Sequence, residues 1–401
     1  MSQFFRLISV LDALNLLSRI APEMDTEYVL LTEARGRVLS EDIQADINIP
    51  GFDRSIKDGF AVVAQETSQA TESAPVVFTA VQRVSMGQQG RGAIRRGECA
   101  YVPTGGMLPR GADAVVMSEY CQNLGDKVLV TRPVASGENI LFQDEDFRKG
   151  EGVLTAGKLL KVQDIGVLAA VGALLVPVRL RPTIGIISTG VELVTPDRTP
   201  AFGEVRDVNT YLCGAFVEER GGIPKYYGIV KDDAEDLRAA LERAASECDS
   251  ILISGGSSKD DRDITARVIA ELGEVLAHGI ALAPGKPTII GRIGRVPVIG
   301  VPGHPAAAFI VLTLLGGHLM HALTRCLTGK DPVKTVRLSQ NVPSERGREE
   351  YIRVKILGEE AVPLFGKSGL LNTLVQSDGI VRIGPVCEGL ETCDEVEVLL
   401  W

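Results

Sequence analysis

Residues Ile251–Asp263, ILISGGSSKDDRD, decide the fold. Ile251, Leu252, Ile253 and Ser254 form a short apolar run of the length expected for a buried parallel strand. Gly255 and Gly256 end it, and a Ser/Asp-rich turn leads into ITARVIAELG. There Ile264, Val268, Ile269 and Leu272 recur at helical spacing, and Gly273 is the stop signal. A strand, a glycine-rich turn and a helix N-terminus make an anion site in α/β folds, because unpaired amides and the helix dipole point at the ligand. Asp260, Asp261 and Asp263 in the same turn repel phosphate unless a cation bridges them, so the pattern predicts Mg²⁺ with a phosphorylated ligand. The plainer reading makes Asp263 an N-cap and the glycines a simple turn.

The same alternation continues on both sides. TIGIIS reads as a strand, VNTYLCGAFVEER as a helix, KYYGIV as a strand, and DAEDLRAALERAA as a helix capped by Asp232 or Asp233. Downstream, TII and PVIGV read as strands and AAAFIVLTLLGGHLM as a helix. This pattern predicts a doubly wound parallel sheet, in which ligands bind beyond the carboxyl ends of the strands. Those ends are Ser188-Thr189-Gly190, Ser254-Gly255-Gly256 and Pro302-Gly303-His304, three ends with one chemistry. Ser258 in the Ser/Asp turn joins them as a candidate ligand contact.

Outside this region the period changes. The expected division is a helical and mixed N-terminal domain from residues 1–46 plus 137–179, and a β-rich domain over 47–136. The α/β domain then covers 180–329, and a small C-terminal β-barrel covers 330–401. The β-rich stretch carries the charged loop INIPGFDRSIKDGFAV and the segment Thr104-Gly105-Gly106, which is either a ligand-binding turn or a hairpin corner.

A hydrophobic content of 45% over 401 residues is enough for several packed cores, and the net charge of −10 argues against nonspecific binding to nucleic acid. The seven cysteines include no CxxC pair, which points away from a zinc site or a disulfide scaffold and towards a reducing, cytoplasmic setting. No run of about 20 apolar residues is evident, so no membrane span is expected. Leu7, Val10, Leu11, Leu14 and Leu17 read as an amphipathic helix.

Taken together, PGFDRSIKDGFAV, VPTGGMLPRGADAVVMSE, RPTIGIISTGVELV, GEVRDVNTYL, ISGGSSKDDRDIT, PGKPTIIG, VPGHP and GKSGLLNTLVQSDGIVRI resemble, in order, the motifs of the MoeA family of molybdopterin molybdenumtransferases. The C-terminal domain of gephyrin is a relative of that family. The resemblance runs from about residue 50 to 385. It implies four domains and an L-shaped homodimer, with each active site between one subunit's α/β domain and the partner's N-terminal part. It implies insertion of molybdate into adenylylated molybdopterin with Mg²⁺ and release of AMP, with a molybdopterin adenylyltransferase as upstream donor.

By the resemblance, Asp58 takes the place of the acid in SxxDGYA and Thr104 that of the hydroxyl in TGA. Thr189, Gly190 and Glu192 match TGDEL, Asp232 or Asp233 matches the acid after the second strand, and Asp263 matches the last acid of the glycine-rich turn. Lys286 matches the lysine of PGKP, and Pro302, Gly303 and Pro305 match LPGNP. Glycine amides and Lys286 would then neutralise phosphate, Glu192, Asp232 and Asp263 would hold the metal, and Arg54, Lys57 or Lys259 would meet the oxyanion. The motifs also depart from the family. Lys57 stands beside the acid, Asp260 replaces a glycine, Ala283 replaces a lysine, and His304 replaces an asparagine. These changes leave open tungstate in place of molybdate, another pterin or nucleotide, or a pterin-binding scaffold without turnover.

Overall fold

The computed structural model describes residues 7–231, 233–255, 259–329 and 331–401, and of 259–263 the backbone alone. Its centre is a six-stranded sheet in the order Ile223–Val230, Thr183–Thr189, Ser250–Ser254, Val296–Val301, Ile289–Ile293 and Glu274–His278. The first four strands run parallel, as the strand–helix alternation requires. Ile289–Ile293 runs antiparallel to both its neighbours, so that Glu274–His278 at the edge again points with the first four, which corrects the all-parallel expectation. The cause is local. Only Gly294 and Arg295 separate Ile289–Ile293 from Val296–Val301, and two residues can close a hairpin but not a crossover.

Alternate side chains of the strand Ser250–Ser254 enter different cores, as a period of two demands. Ile251 and Ile253 pack with Leu237, Leu241, Val268 and Ile269 of the helices Ala234–Glu247 and Lys259–Leu272. Leu252 faces the other way, into a core with Phe216, Ile310 and Leu315. The N-terminal helix Val10–Ile20, capped by Ser9, sends Val10, Ala13 and Leu17 into that same core. It therefore packs on the α/β sheet, far in sequence from the strands it covers.

The helical stretch Pro305–Thr324 has the length and mean hydropathy, 1.8, of a membrane-crossing helix, which the count of apolar residues missed. It is 72% buried inside the fold, where it serves as a core helix. A five-residue π-turn, Leu312–Gly316, interrupts it.

Two separated stretches build the N-terminal unit. Thr26–Leu30 pairs with Leu175–Arg179, and Ile43–Gln44 with Gly152–Leu154, around Leu39, Leu160, Leu168 and Val176. Between them in sequence lies a second six-stranded sheet, which includes Gly59–Val62 and Ala114–Met117 and packs around Phe60, Phe78 and Val116. The C-terminal strands Val333–Leu338, Glu349–Leu357, Glu360–Pro363, Gly379–Ile383 and Glu395–Leu400 close into a barrel. The short strand Leu282–Ala283 of the α/β region pairs in parallel onto Glu349 and Glu350, joining the barrel to the loop that carries Lys286.

Candidate functional site

Strand register builds the site. Ser188 lies opposite Ser254, and Ser254 opposite Val301, so the three strand ends read from sequence finish side by side. They open into a cavity of about 510 Å³, lined by Thr189, Gly190, Ser254, Gly255, Gly303 and Pro305 among others. The turn after Ser254 admits only glycine at its first position. Gly255 has φ +124°, and a Cβ there would lie 2.1 Å from the Thr189 carbonyl oxygen. This close approach brings two strand-end backbones against one another at the cavity wall.

The wall includes a largely buried polar network, centred on Asp207 and Asn209, that the motif reading did not single out. Asp207 accepts from Thr210 Oγ1 at 2.5 Å, from the Thr210 amide at 3.1 Å and from Ser188 Oγ at 3.2 Å. Asn209 Nδ2 donates to Ser254 Oγ at 2.6 Å, to the Gly303 carbonyl at 2.9 Å and to the Pro302 carbonyl at 3.3 Å. The start of the helix Asn209–Glu219 thus ties all three strand ends together. The signal lies in GEVRDVNTYL, where two polar residues stand at the start of a helix, but the Asn209 partners lie 45 and 94 residues away. Below them, burial with a further push from the Asp207 charge raises the Cys213 thiol to about 12, so this cysteine is a core residue. All seven cysteines are free.

Glu192 is exposed at the cavity, beside Gly190, where a Cβ would meet its Oε2 at 2.8 Å. Asp232, Gly256 and Ser258 lie outside the described residues, as do the side chains of Lys259 and Asp263. The helix backbone nevertheless begins at Lys259, so Asp263 stands inside the helix and is not its N-cap. Asp233 does cap a helix, accepting from the amides of Glu235 and Asp236 at 2.8 and 3.2 Å. Among the described residues no three His, Cys, Asp or Glu side chains cluster to hold a metal. One exposed carboxylate at the cavity, Glu192, still fits Mg²⁺, which takes one or two carboxylates and fills its shell with water and substrate phosphate.

Lys286 is exposed and does not line the cavity. Its loop is closed by Ile280 N–H donating to the Lys286 carbonyl at 2.9 Å and by Thr288 Oγ1 donating to the Gly285 carbonyl at 2.7 Å.

Asp58 and Thr104 do come together, but in the β-rich unit and not at this cavity. Asp58 Oδ1 accepts from the Thr104 amide at 2.7 Å and from its hydroxyl at 3.1 Å. The Gly105 amide donates to the Ser55 carbonyl at 2.7 Å, so the two motif loops are bound to each other at several points. Lys57 projects from this cluster with no ion pair among the described residues.

Three family descriptions match in succession: the MoeA N-terminal region (domains I and II) over residues 8–172, a probable molybdopterin binding domain over 185–321, and the MoeA C-terminal region (domain IV) over 335–401. A putative molybdopterin biosynthesis protein of Methanocaldococcus jannaschii is 35% identical, over 92% of this chain and 91% of its own length. A molybdopterin molybdenumtransferase of a Nostoc species is 31% identical, over 90% of this chain and 85% of its own. The solved molybdopterin biosynthesis MoeA protein of Pyrococcus horikoshii OT3 superposes with a TM-score of 0.89 at 34% identity, covering 99% of this chain and 100% of that one. With three family descriptions matched in succession along the chain and a relative 35% identical over 92% of it, the chain belongs to the MoeA family.

Proposed function

We propose that the protein is a molybdopterin molybdenumtransferase, inserting molybdate into adenylylated molybdopterin with release of AMP in molybdenum cofactor biosynthesis. The observation that carries this reading is the convergence of three strand ends on one cavity, in a chain whose relatives bear that name over most of their length. The cavity is the place for the adenylylated pterin. The amides after Thr189 and Ser254 are the donors for its phosphate groups, Gly303 and Pro305 complete the wall, and Pro302 stands one residue behind them. Asp207 and Asn209 hold these donors in place so that they need not reorganise when charge develops on the ligand.

Mg²⁺, held by Glu192 and Asp263 with Asp232 as a further candidate, would supply Lewis-acid polarisation of the phosphoanhydride. Asp58 keeps the Thr104 loop in a fixed shape and, with Lys57 beside it, presents a polar surface to the substrate. Because Asp58 and Thr104 do not line the cavity of their own chain, this role calls for a homodimer in which one subunit's Asp58 loop faces the partner's cavity. We take the working units as 1–46 with 137–179, 47–136, 180–329 and 330–401, with the helix Val10–Ile20 of the first packed on the third. The donor would be a molybdopterin adenylyltransferase, and the setting the cytoplasm. Molybdate, a tetrahedral dianion, is the substrate that the relatives' names favour over tungstate.

The test is single-turnover AMP release from adenylylated molybdopterin, with and without each oxyanion. Release that requires molybdate supports the reading. Tight binding with no release under any oxyanion removes it in favour of a pterin-binding scaffold.

A further inference from the structure

The positive groups at the cavity are fewer than a phosphorylated ligand asks for. Lys286 does not line it, and the one arginine that does among the described residues, Arg206, is exposed at its rim with its Nε donating to the Arg198 carbonyl at 3.1 Å. Asp207 is engaged by Thr210 and Ser188 and contributes no donor. His304 remains, a cavity-lining ring at the start of the helix Pro305–Val311.

Its position is unusual for a loop histidine. It occupies the N-cap of that helix but makes no capping hydrogen bond, so helix formation does not account for it. Its Nδ1 lies 2.8 Å from Ser368 Oγ, and the Ser368 carbonyl accepts from the Ala306 amide at 3.1 Å. A loop of the C-terminal region therefore grips both the ring and the helix start behind it. The Nε2 atom has no partner among the described residues. When the Ser368 hydroxyl donates to Nδ1, the ring proton must sit on Nε2, which makes that atom a donor. An imidazole anchored through one nitrogen with the other free is built to meet an acceptor.

We propose that His304 is a ligand-contacting, specificity-determining residue that donates from Nε2 to the phosphate of a bound nucleotide, its ring set for that contact by Ser368. The inference rests on the transferase reading only for the identity of the nucleotide as an adenylate. It gives the C-terminal region a positioning role in ligand recognition, through the Ser368 side chain that sets His304.

The probes are AMP and adenosine, which differ only by the phosphate, titrated calorimetrically into the full chain. AMP should bind the wild-type chain more tightly than adenosine. His304→Ala should weaken AMP roughly tenfold, the scale of one hydrogen bond to a charged group, and leave adenosine unchanged. Ser368→Ala should cost a smaller factor and add nothing in the His304→Ala background, the signature of one shared contact. His304→Gln, which keeps an N–H donor, should recover part of the loss, and all variants should match the wild-type melting temperature. Equal AMP affinity in wild type and His304→Ala would overturn the inference. So would an equal loss for AMP and adenosine, or a wild-type chain that does not prefer AMP. If the phosphate preference and its dependence on His304 hold but no AMP is released from adenylylated molybdopterin, the contact stands and the transferase reading falls.

Discussion

The two polar clusters of this chain are made in opposite ways. The cavity at the strand ends is set by buried register, with Ser188, Ser254 and Val301 side by side and Asp207 and Asn209 locked against them. The Asp58–Thr104 cluster is set by loops gripping loops at the surface of another sheet, with the carboxylate exposed. The first cannot be altered without cost to the fold, because its side chains are buried and Asp207, Ser188, Thr210 and Asn209 Nδ2 all have partners to lose. The second is held by a few exposed bonds, so its chemistry can be removed with the fold left standing. Stability and activity should therefore separate differently in the two places.

The sharpest way to break this contrast is Gly255→Ala. With a Cβ 2.1 Å from the Thr189 carbonyl and a φ of +124°, the turn must rebuild, and chemical denaturation should register a loss of about 3 kcal/mol with nucleotide binding abolished. Unchanged stability would show that the wall is not as rigid as described. Asp207→Ala comes next. It removes the acceptor shared by an amide and two hydroxyls, which keep only their 2.8 Å bond to each other, and the denaturation midpoint should fall by the equivalent of about 2 kcal/mol. Asp58→Ala is the counterpart, with an expected stability loss of less than about 1 kcal/mol but at least a tenfold drop in AMP release. If Asp58→Ala unfolds the protein as readily as Asp207→Ala, the contrast is lost.

The smallest effect sharpens the account at the barrel. Burial alone would raise the Glu349 carboxyl, but two hydrogen bonds from Arg382, at 2.7 and 3.1 Å, and one from Tyr351 hold it below the usual carboxylate range. A depressed folded-state value stabilises the fold above the unfolded carboxylate's pKa of about 4.3 and is lost as pH falls through the folded value. Unfolding measured against pH should therefore steepen below about pH 4, and Glu349→Gln should flatten that slope. An identical slope in the variant would mean the pair contributes nothing.

The sheet was legible because burial on both faces writes continuous apolar strands. Ile251, Leu252 and Ile253 needed no partner to be read, and the strand ends followed from them. The antiparallel strand was not legible, since TII and PVIGV are apolar enough for either direction and only the two-residue link decides. Asp207 and Asn209 escaped for another reason. A polar residue before a helix reads as a cap, and only the folded chain shows Asn209 reaching the Gly303 carbonyl, 94 residues away. His304 was visible as a departure from a motif, while its bond to Ser368 depends on how two units pack. Likewise the helix Val10–Ile20 could be read as amphipathic, but not which core its apolar face would enter.

The central claim is that the two clusters serve one reaction across a dimer, each cavity working with the partner's Asp58 loop. Mixing Asp58→Ala chains with Glu192→Ala chains, each inactive alone, tests it directly. If one subunit's cavity pairs with the other's loop, random exchange leaves one intact site in each mixed dimer, and AMP release should return to about a quarter of the wild-type rate. No recovery, in a mixture shown to exchange subunits, would contradict the claim.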